Sequence, residues 1–258
     1  MSRDRGDRRG HRGGGVALSL AQRWALISGL LADYDPSLLA NITKDGSNKV
    51  SSFTSRVSGY NVAQATAGLQ PVWSATSVNG FPGITYDGVD DLLDGASGLA
   101  GAISGSAPYT AYYVGKMTTA GVASFMTTWS AGKTSDNTQW IQEYKDATPD
   151  RSNYGRSAST FTTHNGTQLL TTAAYDHVGI FTGTAYTSYV NGTLSVNAGA
   201  NTKAPAALDR ISFGGLAYGA TMIQPFAGTF GRWLIYSSAH TAAEIATVRA
   251  FLRYLYAI

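Results

Sequence analysis

The chain has 258 residues, of which 43% are hydrophobic and 14% charged, with a net charge of +3 and no cysteine. This length suits one large domain with a full hydrophobic core, and the absence of cysteine excludes a disulfide framework and a thiolate metal site. Residues 1–15 carry five arginines and two aspartates, which account for the whole net charge, so the rest of the chain offers no global basic surface for nucleic acid.

The first fifteen residues are rich in arginine and glycine and cannot bury enough apolar surface to fold alone. We interpret residues 1–15 as an extended arm that docks on a partner, with a solvated tail as the alternative. Arginine suits docking because its planar guanidinium pairs bidentately with carboxylates. The partner-binding side chains of this arm are Arg3, Arg5, Arg8, Arg9 and Arg12. No apolar stretch directly follows them, so a secretory signal is not expected.

A short N-terminal helix is predicted to join the arm to the domain. Ser19 and Gln22 have the spacing of a capping box, and apolar residues follow them at helical spacing. The helix is expected at Ser19–Ser28, within a linker that covers residues 16–29, and Gly29 would end it.

From residue 30 onward, aromatic and β-branched residues between glycine-rich turns predict many short strands. The clearest are Ile84–Tyr86, Tyr109–Gly115, Ser124–Trp129, Gln139–Tyr144, Ser159–Thr163, His177–Thr182, Ala185–Val190, Leu194–Val196, Arg210–Phe213 and Gly231–Tyr236. Asn191 and Gly192 give the strongest hairpin signal, because a type I′ turn needs positive φ at both central residues. Strands this frequent are typical of two packed antiparallel sheets.

The segment Gly80–Asp94 combines a short strand with an acidic turn. Asp87 and Gly88 favour a reversal, because glycine tolerates positive φ and the carboxylate bonds nearby amides. Asp90 and Asp91 crowd the same turn, and clustered carboxylates are ligands that Ca²⁺ takes. No further acids complete a ligand set, so we interpret the turn as structural, with a calcium site as the alternative.

The chain is predicted to end in an amphipathic helix. Thr241 and Glu244 have the spacing of a capping box, in which each side chain bonds the other residue's amide. Apolar residues recur behind this box at steps of three and four, namely Ile245, Val248, Leu252 and Leu255. That spacing indicates a helix with one apolar face.

Several short motifs follow one another in a fixed order. They are Asp45-Gly46-Ser47, Ser58-Gly59-Tyr60-Asn61, Gln64-Ala65-Thr66, Gln70-Pro71, the Asp87–Asp91 turn, the Tyr189–Gly192 hairpin, Ile211–Gly215, Phe226–Gly228 and Leu234–Tyr236. In this order and spacing the chain resembles the concanavalin A-like, laminin-G-like jelly-roll domains of bacteriophage tail, fibre and decoration proteins. The resemblance implies one all-β domain over residues 30–258, a two-sheet antiparallel β-sandwich with a C-terminal helix.

Catalytic carboxylates need separate attention because that superfamily includes glucanases. Retaining glycosidases use two carboxyls about 5 Å apart, which the sandwich glucanases supply as Glu-x-Asp-x-Glu on one strand face. This chain has two glutamates, Glu143 and Glu244, and the second is explained as a helix cap. The pattern is absent, and we expect no enzymatic activity.

Aromatic side chains are the remaining candidates for ligand contact. Five could offer stacking faces to sugar rings, although core packing is commoner for aromatics on strands: Trp73, Trp129, Trp140, Tyr144 and Tyr154. The histidines lack metal-ligand spacing, and we expect surface or structural roles for His11, His164, His177 and His240. No cofactor is predicted.

The resemblance implies a non-enzymatic virion structural protein, namely a head decoration, head fibre or tail-associated protein assembled in the host cytoplasm. Its arm would bind other virion proteins, and its jelly roll would form a homo-oligomer and display a glycan-binding or host-binding surface. The alternative is a carbohydrate-binding module or free lectin without a virion role.

The segment Gly95–Gly115 carries no charged residue, as a membrane span would, but Pro108 and the glycines of the segment argue against a membrane span. Neither membrane nor nucleic acid is expected as a partner.

Overall fold

The computed structural model describes residues 26–118, 126–133, 139–145, 152–168, 170–218, 221–223 and 225–258. The strands in these ranges are β1 (Leu30–Tyr34), β2 (Ile42–Lys44), β3 (Val50–Thr54), β4 (Asn61–Ala63), β5 (Val72–Val78), β6 (Phe81–Asp87), β7 (Leu93–Gly95), β8 (Tyr109–Met117), β9 (Met126–Gly132), β10 (Gln139–Lys145), β11 (Ser152–Ala158), β12 (Thr160–His164), β13 (Tyr175–Phe181), β14 (Ala185–Val190), β15 (Thr193–Ala200), β16 (Arg210–Phe213), β17 (Leu216–Tyr218), β18 (Thr221–Ile223) and β19 (Ala227–Tyr236). The helices are α1 (Ser97–Ala102) and α2 (Ala242–Tyr256), with 3-10 turns at Leu39–Asn41 and Ala67–Leu69.

These strands form two large antiparallel sheets. Sheet A has the order β15-β14-β13-β8-β19-β6-β5, and β1 also pairs with β19. Strands β6 and β1 pair with successive halves of β19, while β8 runs along its other edge. Sheet B has the order β12-β11-β10-β9-β16-β7-β4-β3-β2, and β17 and β18 form a separate hairpin. The all-β, two-sheet antiparallel sandwich predicted from the sequence is confirmed.

The two sheets bury a common aromatic core between them. The ring of Trp233 on β19 lies 4.1 Å from that of Phe213 on β16 and 5.1 Å from that of Phe230. Tyr34 on β1 meets Phe213 edge-to-face at 5.0 Å, an arrangement that adds to the gain from burying apolar area. These rings leave a void of about 10 Å³, which holds no more than one water. This part of the interior therefore offers no ligand pocket.

Helix α2 covers the outer face of sheet A. Val248 and Leu252 of the helix pack against Tyr112, Val178 and Leu234 of the sheet in a second buried cluster. Because this face is covered by a helix and the other by sheet B, β8 and β13 are buried almost throughout. The strands therefore read as continuous apolar runs instead of alternating ones.

The predicted C-terminal capping box is confirmed at the start of α2. The Thr241 amide donates to Glu244 Oε2 at 2.8 Å, and the Glu244 amide donates to Thr241 Oγ1 at 3.4 Å. The carboxylate of Glu244 is thus used by the helix N-terminus, as the sequence predicts.

The predicted type I′ hairpin is confirmed between β14 and β15. Asn191 and Gly192 have φ angles of 51° and 81°. A side chain at Gly192 would also collide with Arg249 of α2, since an added Cβ would lie 2.6 Å from its Nη1. Arg249 Nε in turn donates to the buried carboxylate of Asp176 at 2.8 Å. The glycine is required both by the turn and by the docking of the helix.

The elements that the sequence does not single out include strand β11 and helix α1. Strand β11 has a polar sequence with a central glycine, yet it buries Tyr154 and Arg156. Helix α1 is six residues long and begins after Ala96, which has a φ of 55°. Among the described residues, no helix has the length and apolar character needed to cross a membrane.

The arm and most of the linker helix fall outside the described residues, which begin at residue 26. The prediction for Arg3, Arg5, Arg8, Arg9 and Arg12 therefore stays a prediction. The predicted helix Ser19–Ser28 is wrong at its C-terminal end, because residues 26–28 form a turn and irregular backbone. Gly29 has a φ of 81° and its carbonyl accepts a bond from the Ser237 amide, which leads the chain directly into β1.

Candidate functional site

The outward side of sheet B carries a hydrogen-bonded polar cluster on β7 and β16. Alternation turns Ile211 and Phe213 into the core and leaves Arg210 and Ser212 on the outward side. Arg210 Nη1 donates to Asp94 Oδ2 at 2.6 Å, and Ser212 Oγ donates to Asp94 Oδ1 at 3.0 Å. Burial raises the pKa of Asp94, and the Arg210 charge opposes that rise. The carboxylate is therefore held by its neighbours within the sheet.

Trp140 lies on the same outward side, on β10. Its neighbour Ile141 points into the core, so alternation places Trp140 outward. The indole ring lies against the backbone of Gly155 on β11, since a Cβ added there would be 2.6 Å from Cζ3 and 2.8 Å from Cη2. The side chain is half-buried. Trp140 therefore presents a supported ring on the outward side of sheet B.

Phe161 extends this surface to the edge of the sheet. Trp140 pairs with Ser157, and Ser157 pairs with Phe161, so the three residues form one row across β10, β11 and β12. Phe161 is 70% exposed. We call these three residues, two aromatics with a serine between them, the aromatic row.

The candidate glutamate, Glu143, lies on the opposite side of β10, inside the sandwich. Its side chain is 1% exposed and accepts a hydrogen bond from the Tyr186 hydroxyl at 2.9 Å. His177 Nδ1 lies 3.5 Å from Glu143 Oε2. Burial lowers the pKa of His177 to about 3, so the contact joins a neutral imidazole to the glutamate and is not a salt bridge at neutral pH. Glu143 cannot reach a polysaccharide from this position.

A buried arginine next to this cluster could not be anticipated from the sequence. Arg156 is 0% exposed, and its guanidinium lies 4.0 Å from the ring centre of Phe181. Its Nε donates to the Lys203 carbonyl at 2.7 Å, and its Nη1 donates to the Tyr154 hydroxyl at 3.2 Å. Arg156 thus links β11 to sheet A and to the chain that leads into β16.

The structure gives the five candidate stacking residues different positions and different roles. Tyr154 stacks on Tyr186 at 3.6 Å in the interior and is 0% exposed, so it has the core-packing role and not the sugar-stacking one. Trp73 donates its indole N–H to the Pro36 carbonyl at 2.8 Å and packs against the core. Trp140 alone of the described candidates combines a supported ring with an outward position. The side chains of Trp129 and Tyr144 lie outside the description.

The acidic turn brings Asp87, Asp90 and Asp91 together, with one oxygen of each within 4.8 Å of the others. Their proximity would suit a cation, but the carboxylates already serve the turn. Asp87 Oδ1 accepts from the Val89 amide at 2.8 Å, and Asp91 Oδ2 accepts from the Asp87 amide at 2.9 Å. Burial is the main cause that raises the pKa of Asp91 to about 6. The geometry therefore gives the carboxylates of Asp87 and Asp91 structural roles in the turn.

Two of the predicted structural histidines occupy packing positions. His164 stacks parallel to Tyr154 with the rings 6.4 Å apart. His240 Nδ1 and the Tyr112 hydroxyl share a hydrogen bond of 2.7 Å. Within the described ranges, the acidic turn is the one group of three acidic or histidine side chains close enough to hold an ion.

A cavity of about 80 Å³ lies at the C-terminal end of α2, beside Arg232 and Asp35. Arg232 donates two hydrogen bonds to Asp33, at 2.7 Å and 2.6 Å, and its Nη1 lies 3.2 Å from Asp35. Phe81 and Tyr256 meet edge-to-face at 5.7 Å on the other side. Opposite charges are paired here between β19 and β1, and the Phe81–Tyr256 contact joins α2 to sheet A.

No protein-family model and no curated protein matches the chain. Among solved structures it is similar to domain 4 of AbnA, a GH43 extracellular arabinanase from Geobacillus stearothermophilus in complex with arabinotriose. That match has a TM-score of 0.58 and 16% identity and covers 84% of this chain and 96% of that domain. The Ruminococcus gnavus IT-sialidase CBM40 bound to α2,6-sialyllactose has a TM-score of 0.52 and 14% identity, over 64% of this chain and 95% of that one.

The Trypanosoma rangeli sialidase in complex with sialic acid also matches, with a TM-score of 0.57 and 12% identity. The match covers 86% of this chain and 33% of that enzyme's length, so this chain spans about a third of the enzyme. At these identities the likeness establishes the fold. The chain is a jelly-roll β-sandwich. The finer resemblance to phage structural domains stays a prediction.

Proposed function

We propose that this chain is a non-catalytic carbohydrate-binding domain whose ligand lies on the outward side of sheet B. The observation that carries the proposal is Trp140, a half-buried indole whose ring lies against Gly155 on the outward side of the sheet. An aromatic face packs against the C–H groups of a sugar ring, and the indole N–H can donate to a hydroxyl. Thr163 on β12 is exposed and the Arg210–Asp94 pair on β16 and β7 is partly exposed, so these groups would provide further polar contacts.

The structural neighbours support this proposal. The arabinanase domain was solved with arabinotriose and the sialidase module with sialyllactose, so jelly rolls of this architecture serve as sugar-binding parts of larger enzymes. Fold alone does not decide function, which is why the proposal depends on Trp140 and its surroundings.

The absence of catalysis is part of the proposal. Glu143 is enclosed between the sheets, Glu244 caps α2, and Asp94 is bound by Arg210. Glycoside hydrolysis needs two accessible carboxyls on either side of a scissile bond. Among the described residues, the acids on the outward side of sheet B supply no such pair.

Calorimetry against a panel of neutral and acidic oligosaccharides tests this function. We expect the full chain to bind at least one glycan, without turnover, and Trp140→Ala to weaken binding at least about tenfold. Tyr254→Ala is the matched control, because Tyr254 is 76% exposed on α2, on the far side of the sandwich. Equal losses in both variants, or no binding by the parent chain, would refute the proposal.

A virion role is the context that we propose for this binding domain. It is supported by the motif order of residues 30–258 and by the five arginines in residues 1–15. In that role the arm would anchor the domain to acidic surfaces of other virion proteins, and the domain would form a homo-oligomer after assembly in the host cytoplasm. Deletion of residues 1–15 should abolish incorporation into particles, and unchanged incorporation would contradict the arm's role.

A further inference from the structure

We propose that the ligand is a neutral, extended oligosaccharide of at least three rings that crosses β10, β11 and β12 and stacks on both Trp140 and Phe161. This inference rests on the proposed function and adds the length, direction and charge of the ligand. It depends on the aromatic row, which no sequence pattern singled out. Only Trp140 of the row belongs to the candidates named from the sequence.

The spacing of the row sets the length of the ligand. Trp140 and Phe161 each pair with Ser157 from opposite sides, so their backbones are two strand spacings apart, about 10 Å. A sugar ring with its glycosidic oxygen advances an extended chain by roughly one strand spacing. The rings that stack on the two aromatics are therefore separated by one intervening ring, and a disaccharide reaches only one of them.

The floor between the two aromatics permits such a ring to pass. Ser157 has a small side chain that is 4% exposed, and Gly155, under the Trp140 ring, has none. Thr163 lies beside Gly155 on β12, since an added Cβ at Gly155 would be 3.4 Å from its Cγ2. Ser157 and Gly155 therefore place no bulky side chain between the two aromatic rings.

Arg210, a cation on the outward side of sheet B, is already neutralised, because its Nη1 donates to the Asp94 carboxylate at 2.6 Å. An acidic sugar would have to compete with Asp94 for this cation, whereas a neutral sugar would not. Lys203 Nζ donates to the neutral Thr160 hydroxyl at 2.6 Å, next to Phe161, and keeps its charge, so the acidic oligosaccharides in the test below measure whether Lys203 attracts a ligand. Phe161, 70% exposed on an edge strand, gains by being covered with an apolar sugar face.

A length series tests the inference. Calorimetry would use neutral xylo-, cello-, manno- and arabino-oligosaccharides of one to six rings, with oligogalacturonides of matched length as the acidic set. For the series that binds, we expect affinity to rise at least about tenfold from two rings to three, and acidic chains to bind more weakly than neutral ones. A smooth dependence on length, or tighter binding of the acidic set, would overturn the inference.

Two variants separate this inference from the proposed function. Phe161→Ala should bind three rings no better than two while keeping its affinity for two, and Trp140→Ala should lose affinity for both. If glycans bind but Phe161→Ala keeps the length step, the inference fails and the proposed function stands. If no glycan binds, the proposed function itself fails. Sedimentation of Phe161→Ala is the remaining check, because a change of oligomeric state in place of the length effect would assign Phe161 to a protein interface and overturn the inference.

Discussion

Strand β10 has a carboxyl group on its inward side and a large aromatic ring on its outward side, which reverses the usual burial of apolar residues and exposure of charged ones. The inward side places Glu143 at 1% exposure between the sheets, against Tyr186 and His177. The outward side places an aromatic residue, Trp140, half-buried against Gly155. A buried carboxyl is costly unless it is bonded, and an exposed indole gains nothing from solvent. The titratable group therefore belongs to the fold, and the aromatic group is the one left to meet a ligand.

The largest expected effect comes from breaking the inward side at Arg156. Arg156→Ala removes a guanidinium that bonds the Lys203 carbonyl and the Tyr154 hydroxyl and packs on Phe181. We expect a loss of about 4 kcal/mol in the free energy of unfolding, because a cavity and buried unbonded polar groups remain. Urea denaturation measures this loss.

Arg156→Lys is the matched variant for this prediction, because it keeps the charge but not the planar set of donors. We expect an intermediate loss. A loss below about 1 kcal/mol for Arg156→Ala would contradict the view that the inward polar cluster holds the sheets together.

A pH effect at His177 is the next largest. Burial lowers the pKa of His177 from 6.5 to about 3, so the unfolded chain binds a proton below pH 6.5 that the folded chain rejects. Above pH 6.5 His177 therefore does not lower the free energy of unfolding, and this free energy falls as the pH drops towards 3. The loss is about 2 kcal/mol at pH 5. His177→Phe keeps an aromatic ring in place of the one that stacks on Tyr113 at 4.6 Å. Its unfolding free energy should fall less steeply between pH 7 and pH 5 than that of the parent chain, and parallel curves would contradict this account.

Gly155→Ala tests whether the position of the Trp140 ring on the outward side matters for binding, because Gly155 lies beneath that ring. An added Cβ would lie 2.6 Å from the indole ring, and Gly155 has no positive φ that would strain an alanine. The ring must move, so we expect glycan affinity to fall about tenfold while the unfolding free energy falls by about 1 kcal/mol. Calorimetry and urea denaturation on the same sample measure both.

Gly101→Ala serves as the control for that change, because an added Cβ at Gly101 meets nothing within 4 Å. It should leave glycan affinity unaltered. Full affinity in Gly155→Ala would show that the position of the Trp140 ring does not matter for binding.

The sequence predicts the architecture well because strand alternation, the Asn191–Gly192 turn and the capping box at Thr241 are local signals. It does not predict β11, since an arginine that is buried by pairing with carbonyls and a tyrosine reads as a surface residue. It also cannot separate Trp140 from Tyr154, because both are aromatics on strands. Their register decides: Tyr154 pairs with the inward Glu143, and Trp140 pairs with the outward Ser157.

Phe161 shows the same limit from the other direction. It falls within the predicted strand Ser159–Thr163, but the strand signal alone does not say which side of the sheet the residue faces. The structure pairs Thr162 with the inward Arg156 and leaves Phe161 outward. Side chains alternate along β12, so the side that Phe161 faces follows only once its partner strand is known.

The smallest effect is expected at Asp91, a second buried carboxyl that lies at a turn instead of between the sheets. Burial is the main cause that raises its pKa from 3.8 to about 6, so the ionised form weakens the fold and stability is lost as the pH rises through 4 to 6. Asp91→Asn keeps an oxygen that can accept from the Asp87 amide. At pH 7 it should be more stable than the parent chain by about 1 kcal/mol, less than the full shift because water reaches the turn, and the difference should vanish near pH 4. Thermal melts with and without calcium complete the test: a calcium-dependent gain in the parent chain that Asp91→Asn lacks would show that the turn holds a cation, whereas we expect the same melting temperature in both conditions.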